Sequence, residues 1–102
     1  MKKPERHIIV VSFNTTPDSQ TKAITTIGNY VSKFLSKQSG FLGSRLHASL
    51  DGRSILHYAE WVSAEAFSQA AELARNHPDL PALKRLQPDA TAYSIECLFP
   101  PA

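Results

Sequence analysis

The chain has 102 residues and a mass of 11.3 kDa, enough for one compact domain spanning residues 1–102 and too little for two. With 42% apolar and 20% charged residues it is no disordered tail. Its net charge of +2 is scattered, with no basic run longer than a pair such as Lys2-Lys3, which argues against a nucleic-acid binder. The longest wholly apolar run, residues 8–11, is far too short to span a membrane, and no secretory pattern precedes it. A single cysteine, Cys97, allows no internal disulfide and cannot alone hold a metal. A reduced, cytoplasmic domain is the expectation, and at this size dimerisation would help a thin core.

Residues 7–13, rich in β-branched side chains and apolar on both parities, read as a central strand covered on both faces. Thr16-Pro17-Asp18 reads as a helix start, with a capping hydroxyl, an early proline and an acid near the positive dipole end. Ile24, Ile27, Val31, Phe34 and Leu35 then follow at helical spacing, and Gly40 stops the segment. Residues 41–49 and 54–62 read as two strands joined around Asp51-Gly52, a hairpin signal. Ser63 caps a second helix over residues 64–75, whose buried face is Ala66, Phe67, Ala70, Ala71 and Ala74. Asn76-His77-Pro78-Asp79 breaks it, a short helical segment follows through Leu86, and Pro88 ends that. Alternation of Tyr93, Ile95, Cys97 and Phe99 predicts the final strand.

The order β-α-β-β-α-β is that of an α+β, ferredoxin-like arrangement, with helices on one face of an antiparallel sheet. The other face would be bare in a monomer, which implies a homodimer through the open sheet face. Hairpin register decides what lies under the helices. A two-residue loop would pair His47 with Leu56; a three-residue loop would pair it with Ile55. The three-residue version sorts the residues better. It puts Arg45, His47, Ile55, His57, Ala59 and Trp61 on one face, and Leu42, Leu46, Ala48, Leu56, Tyr58 and Val62 on the other, with Glu60 a misfit. His57 and Trp61 share a face, about 13 Å apart along the strand.

The stretch Gly40-Phe41-Leu42, His47-Ala48-Ser49, Asp51-Gly52 and Tyr58-Ala59-Glu60-Trp61, with Ser63 and Phe67, resembles the antibiotic biosynthesis monooxygenase family, and within it the anthrone oxidisers that use no cofactor. The resemblance implies a dimeric α+β barrel that oxidises a small electron-rich aromatic with O2, without flavin, haem or metal. It assigns catalytic roles to Trp61 and His47, and to His57, which stands where those enzymes have asparagine. It assigns substrate contacts to Phe67, which stands where they have tyrosine, and to Lys84 or Arg85, near which their arginine falls. Haem-degrading relatives fit less well: Ala71 stands where their haem-ligating histidine is expected.

Residue by residue, blander readings compete. A tryptophan ending an inner strand is usually core. Arg45 is equally a cavity cation or half of an ion pair. His7 and His77 read as surface histidines, and Cys97 as packing. Ser44, Ser49 and Ser63 have no visible nucleophilic partners. His47 and His57 invite a metal, but no third ligand falls at a suitable spacing. The reading is therefore a homodimeric, cofactor-independent monooxygenase. Its alternatives are a non-oxidative isomerase or lyase using His57 as acid and base, and a non-catalytic small-molecule-binding dimer.

Overall fold

The computed structural model of the chain describes residues 6–101; the Lys2-Lys3 pair lies outside them. Four strands, β1 (His7–Asn14), β2 (Phe41–Ala48), β3 (Ser54–Trp61) and β4 (Asp89–Ser94), form one antiparallel sheet in the order β2-β3-β1-β4. Helices α1 (Gln20–Lys33), α2 (Ala64–Ala74) and α3 (Leu80–Lys84) complete the ferredoxin-like α+β arrangement. None of the described helices is long and apolar enough to cross a membrane.

The central position of β1 follows from its composition. Ile9, Val11 and Phe13 face the helices while Ile8 and Val10 face outward, so both faces of this strand are apolar. Ser63 caps α2 as its sequence predicts, its hydroxyl accepting from the Ala66 N–H at 3.1 Å, an arrangement worth about 1 kcal/mol.

The Thr16 hydroxyl accepts the Ser19 N–H at 3.2 Å and the Thr16 carbonyl the Gln20 N–H at 3.0 Å, so this segment forms the capped turn that leads into α1, with regular helix from Gln20. Two sequence expectations need correction. The last strand is not the stretch of alternating Tyr93, Ile95, Cys97 and Phe99. It is Asp89–Ser94, which pairs with β1 from Ser12↔Asp89 to His7↔Ser94, and the chain leaves the ladder after it.

The hairpin correction matters most for the site. Ser49 N–H donates to the Ser54 carbonyl at 3.0 Å, so the loop contains four residues, 50–53. Its parity is that of the rejected two-residue register, with His47 opposite Leu56 and Leu46 opposite His57. Side-chain bonds hold the longer loop. The Asp51 carboxylate accepts from the Ser49 hydroxyl at 2.7 Å and from the Arg53 N–H at 3.0 Å. Ser49 Oγ accepts in turn from the Ser54 N–H at 2.9 Å. These bonds hold the Asp51 pKa below the ordinary carboxylate value, the Arg53 N–H contributing most. From Gly43 to Ala48, β2 is thereby flipped relative to expectation, so Leu46 and Ala48 face the helices while Arg45 and His47 face outward; an irregularity between Phe41 and Gly43 restores the expected pairing of Phe41 with Trp61. The outer face is accordingly less apolar than predicted.

Candidate active site

The helix-facing core is divided in two. One cluster centres on Phe13, Ala23, Ile27, Ile55 and Leu83; the other on Ile9, Ala59, Trp61 and Ala70. Val11 packs against both, and a cavity of about 240 Å³ lies between them. Protein interiors are normally close-packed, so a space of this size under the helices is a feature to explain.

Its floor is the sheet. β3 projects His57, Ala59 and Trp61 into it from alternate positions, flanked by the inward side chains of β1. The roof comes from α1, through Tyr30 and Val31, and from α2, where Phe67, Ala71 and Arg75 recur at steps of four along one side of the helix. Ala71 and Arg75 are exposed, so the cavity opens beside the end of α2.

Trp61 is 1% exposed and closes one end of the cavity. Phe41, its cross-strand partner, meets it edge-on at 5.3 Å between ring centroids, and Phe67 does so at 5.6 Å. Such T-shaped contacts fix the indole in place. The result is an apolar, aromatic wall suited to a flat ring system.

His57 is the one buried polar side chain of the described core, 5% exposed. Its Nε2 has no hydrogen-bond partner. Loss of solvent pushes its pKa down from 6.5 to about 4, so the imidazole is neutral at pH 7. A buried nitrogen left unsatisfied costs about 1–3 kcal/mol, and a ligand that bonds it would recover that cost.

Tyr30 also lines the cavity, from α1. Its ring meets His77 edge-on at 5.2 Å and packs tilted against Phe34 at 5.5 Å. Burial, and after it the Asp79 carboxylate, raises the phenol's pKa above its ordinary value, so it keeps its proton.

Of the residues singled out from the sequence, His57, Trp61 and Phe67 come together around this cavity. His47 and Arg45 do not: the hairpin register turns both to the outer face. Arg45 instead stacks on the Tyr58 ring at 5.2 Å. His47 and His57, on opposite faces of the sheet, cannot ligate one metal ion. Lys84 and Arg85 lie outside the cavity as well, Arg85 lining a separate recess beside Lys22. Arg75 is the cation at the cavity, its guanidinium held by Glu72 at 3.2 Å. Tyr30 and Arg75 were both missed. Their signal was spacing: Tyr30 follows Ile27 by three, and Arg75 follows Phe67 by eight.

A family model, described as antibiotic biosynthesis monooxygenase, matches residues 6–76. The chain belongs to the antibiotic biosynthesis monooxygenase family. Among solved structures, it is similar to a monooxygenase from the gene ActVA-Orf6 of Streptomyces coelicolor, in complex with the ligand nanaomycin D. That likeness has 25% identity and a TM-score of 0.80, over 97% of this chain and 95% of the other. SnoaB, a cofactor-independent oxygenase from Streptomyces nogalater, shares the fold at 22% identity and a TM-score of 0.74, over 94% of this chain and 98% of its own. A conserved protein from Methanosarcina mazei Go1 shares it at 12% identity and a TM-score of 0.76, over 91% and 95%. No curated protein matches the chain. The family match covers β1 through α2, the elements that carry His57, Trp61, Phe67 and Tyr30.

Proposed function

We propose that this member of the antibiotic biosynthesis monooxygenase family is a cofactor-independent monooxygenase acting on a phenolic, anthrone-like or quinol-like aromatic. The observation that carries the reading is the buried, neutral, unpartnered His57 in an aromatic cavity that also contains Trp61.

Triplet dioxygen reacts slowly with closed-shell molecules, so the protein's task is to make the substrate easy to oxidise. An apolar cavity desolvates a phenol or enol, and His57 Nε2 accepts its hydrogen bond. Transfer of that proton creates an imidazolium beside an enolate. The low pKa of the lone imidazole opposes a solitary charge, but a contact anion favours the protonated form. The electron-rich enolate reduces dioxygen. One oxygen atom enters the substrate as a carbonyl at the attacked carbon, and the other leaves as water, carrying the proton that His57 took from the hydroxyl and the hydrogen lost from that carbon. Trp61 and Phe67 hold the ring plane, and Arg75 stands at the mouth.

In this reading the working form is a homodimer joined through the outer sheet faces. Its support is the exposure of Leu56, Tyr93 and Leu98 on that side of the sheet, next to an edge strand, β4, that is exposed along its whole length. A groove of about 830 Å³ runs between the face and the 95–99 segment. A strand this open at a sheet edge is normally covered.

Oxygen uptake by purified, chelator-treated protein over a panel of anthrones and hydroquinones tests the reading. Enzyme-dependent uptake is expected, with His57→Ala reducing it at least a hundredfold, the usual range for a proton-transfer group. Trp61→Phe is expected to retain it at reduced affinity. Uptake unaffected by His57→Ala would overturn the assignment of His57.

A further inference from the structure

Arg85, a residue the sequence put forward for substrate contact, lines a different space. A recess of about 210 Å³ lies between α1 and the α3 segment, with Lys22, Ala23 and Thr26 on one side and Ala82, Arg85 and Leu86 on the other. We propose that this recess is a second binding site, for a small organic acid. The carboxylate of the acid lies between Lys22 and Arg85, and its apolar body lies on the floor between the helices. The inference does not depend on the reaction proposed for the cavity over the sheet.

Helical spacing builds the recess. Lys22 and Thr26 are four apart on α1, and Ala23 follows Ser19 by four, so these side chains share one side of the helix. Arg85 and Leu86 follow Ala82 by three and four and face them. Ala23 is buried, and Leu86 is half-buried against the cluster of Phe13 and Ile27, so the floor is apolar. Alanine on both walls leaves space there that longer side chains would fill.

The charge around this floor is one-sided. Two cations reach the recess from different elements, and no carboxylate lines it. Elsewhere the chain pairs its exposed guanidinium groups, Arg6 with Glu60 at 2.8 Å and Arg75 with Glu72 at 3.2 Å. Lys22 and Arg85 form no ion pair among the described residues, and Asp18, four residues before Lys22, does not reach it. Like charges on one recess disfavour each other, and a bound carboxylate reverses that. The guanidinium offers it two parallel N–H donors and the ammonium a compact charge. Thr26 gives its hydroxyl proton to the Lys22 carbonyl at 3.1 Å, which leaves the anion to the two cations.

Size limits the body of the acid. An apolar cavity of roughly 150 Å³ accommodates one benzene ring, so about 210 Å³ holds one ring with its carboxylate. A bare inorganic anion would leave the floor uncovered, and a neutral ring would leave the cations unpaired. A bound acid would also join α1 to α3, the helices that bring Ile27, Leu80 and Leu83 to the cavity over the sheet, and so brace the roof of that cavity.

The experiment titrates benzoate, benzyl alcohol and inorganic phosphate into isotope-labelled wild type, Lys22→Gln and Arg85→Gln at low ionic strength, and follows backbone amide resonances. Lys22 and Arg85 are both exposed, so neither substitution removes core packing. Benzoate is expected to move the amides of Ala23, Ala82 and Leu86 in wild type, and to bind more tightly than the alcohol or phosphate. Each variant is expected to bind benzoate about fivefold more weakly. Benzoate shifts confined to Ala59 and Ala70 would place it in the cavity over the sheet and overturn the proposal. Equal affinity for benzyl alcohol or for phosphate, or unchanged benzoate affinity in both variants, would overturn it as well. Because the readout is resolved by position and needs no turnover, such a failure leaves the monooxygenase reading standing.

Discussion

His57 carries both the chemistry proposed for the cavity and a cost to the fold. Its pKa falls from 6.5 in the unfolded chain to about 4 in the folded one, so between those values the unfolded state binds the extra proton. The stability that neutral His57 allows is therefore complete above pH 6.5 and is lost as pH falls towards 4. The full loss amounts to about 3 kcal/mol. Urea unfolding across this range is expected to show that decline in wild type and a shallower one in His57→Phe, which has no proton to gain. Identical slopes would mean that His57 is solvated in the native state. At this scale the sequence was legible where alternation along one strand sufficed: His57 and Trp61 share the inner face of β3, as their spacing of four requires. Arg75 and Tyr30 were harder to see. The first is a charged residue at a helix end, where solvent is the usual destination. The second fell on the apolar stripe of α1 between Ile27 and Val31, where a phenol reads as packing.

Elements were legible from composition, and their relative placement was less so. The existence of β1, β2, β3 and α2 follows from periodicity and caps, and those segments formed within a residue or so of expectation. The register between β2 and β3 depended on loop length, which is set by the Ser49 and Asp51 side chains rather than by any hydrophobic pattern. One residue of loop reverses the strand from Ala48 back to the irregularity at Phe41/Gly43, and this moved Arg45 and His47 away from the cavity. The junction between β2 and α2 is more constrained. Gly40 has φ +86, and a Cβ there would meet the Ala66 Cβ at 2.5 Å and the Val62 Cγ2 at 2.9 Å. Gly40→Ala is expected to cost about 3 kcal/mol, from left-handed strain together with overpacking. Gly28, mid-way along α1, has nothing within 4 Å of a Cβ, so Gly28→Ala is expected to stabilise by about 0.5–1 kcal/mol. Denaturant midpoints of the two variants check the pair, and equal shifts would contradict this account of Gly40.

As a whole the molecule is extended, 46 × 32 × 19 Å, with a radius of gyration of 14.3 Å against about 13 Å for a compact chain of this length. The excess is consistent with a chain that finishes its packing against a second copy. Sedimentation of wild type is expected to give a dimer, and Leu56→Asp, on the outer face, a less stable monomer. A monomeric wild type would remove the homodimer from the proposed function. Composition placed the chain in the right class at this scale, and the bare sheet face suggested a partner. The split core and its cavity could not be read from the sequence, because they depend on how three helices sit over one sheet.

The central claim, that the cavity activates an aromatic towards dioxygen without a cofactor, is tested most directly by turnover under isotopically labelled dioxygen with no cofactor added. The account predicts a product carrying one labelled oxygen atom, at a rate that collapses in His57→Ala. Product that forms under nitrogen, or that forms under labelled dioxygen without the label, would contradict it, and the first of these would favour an isomerase or lyase that moves protons through His57.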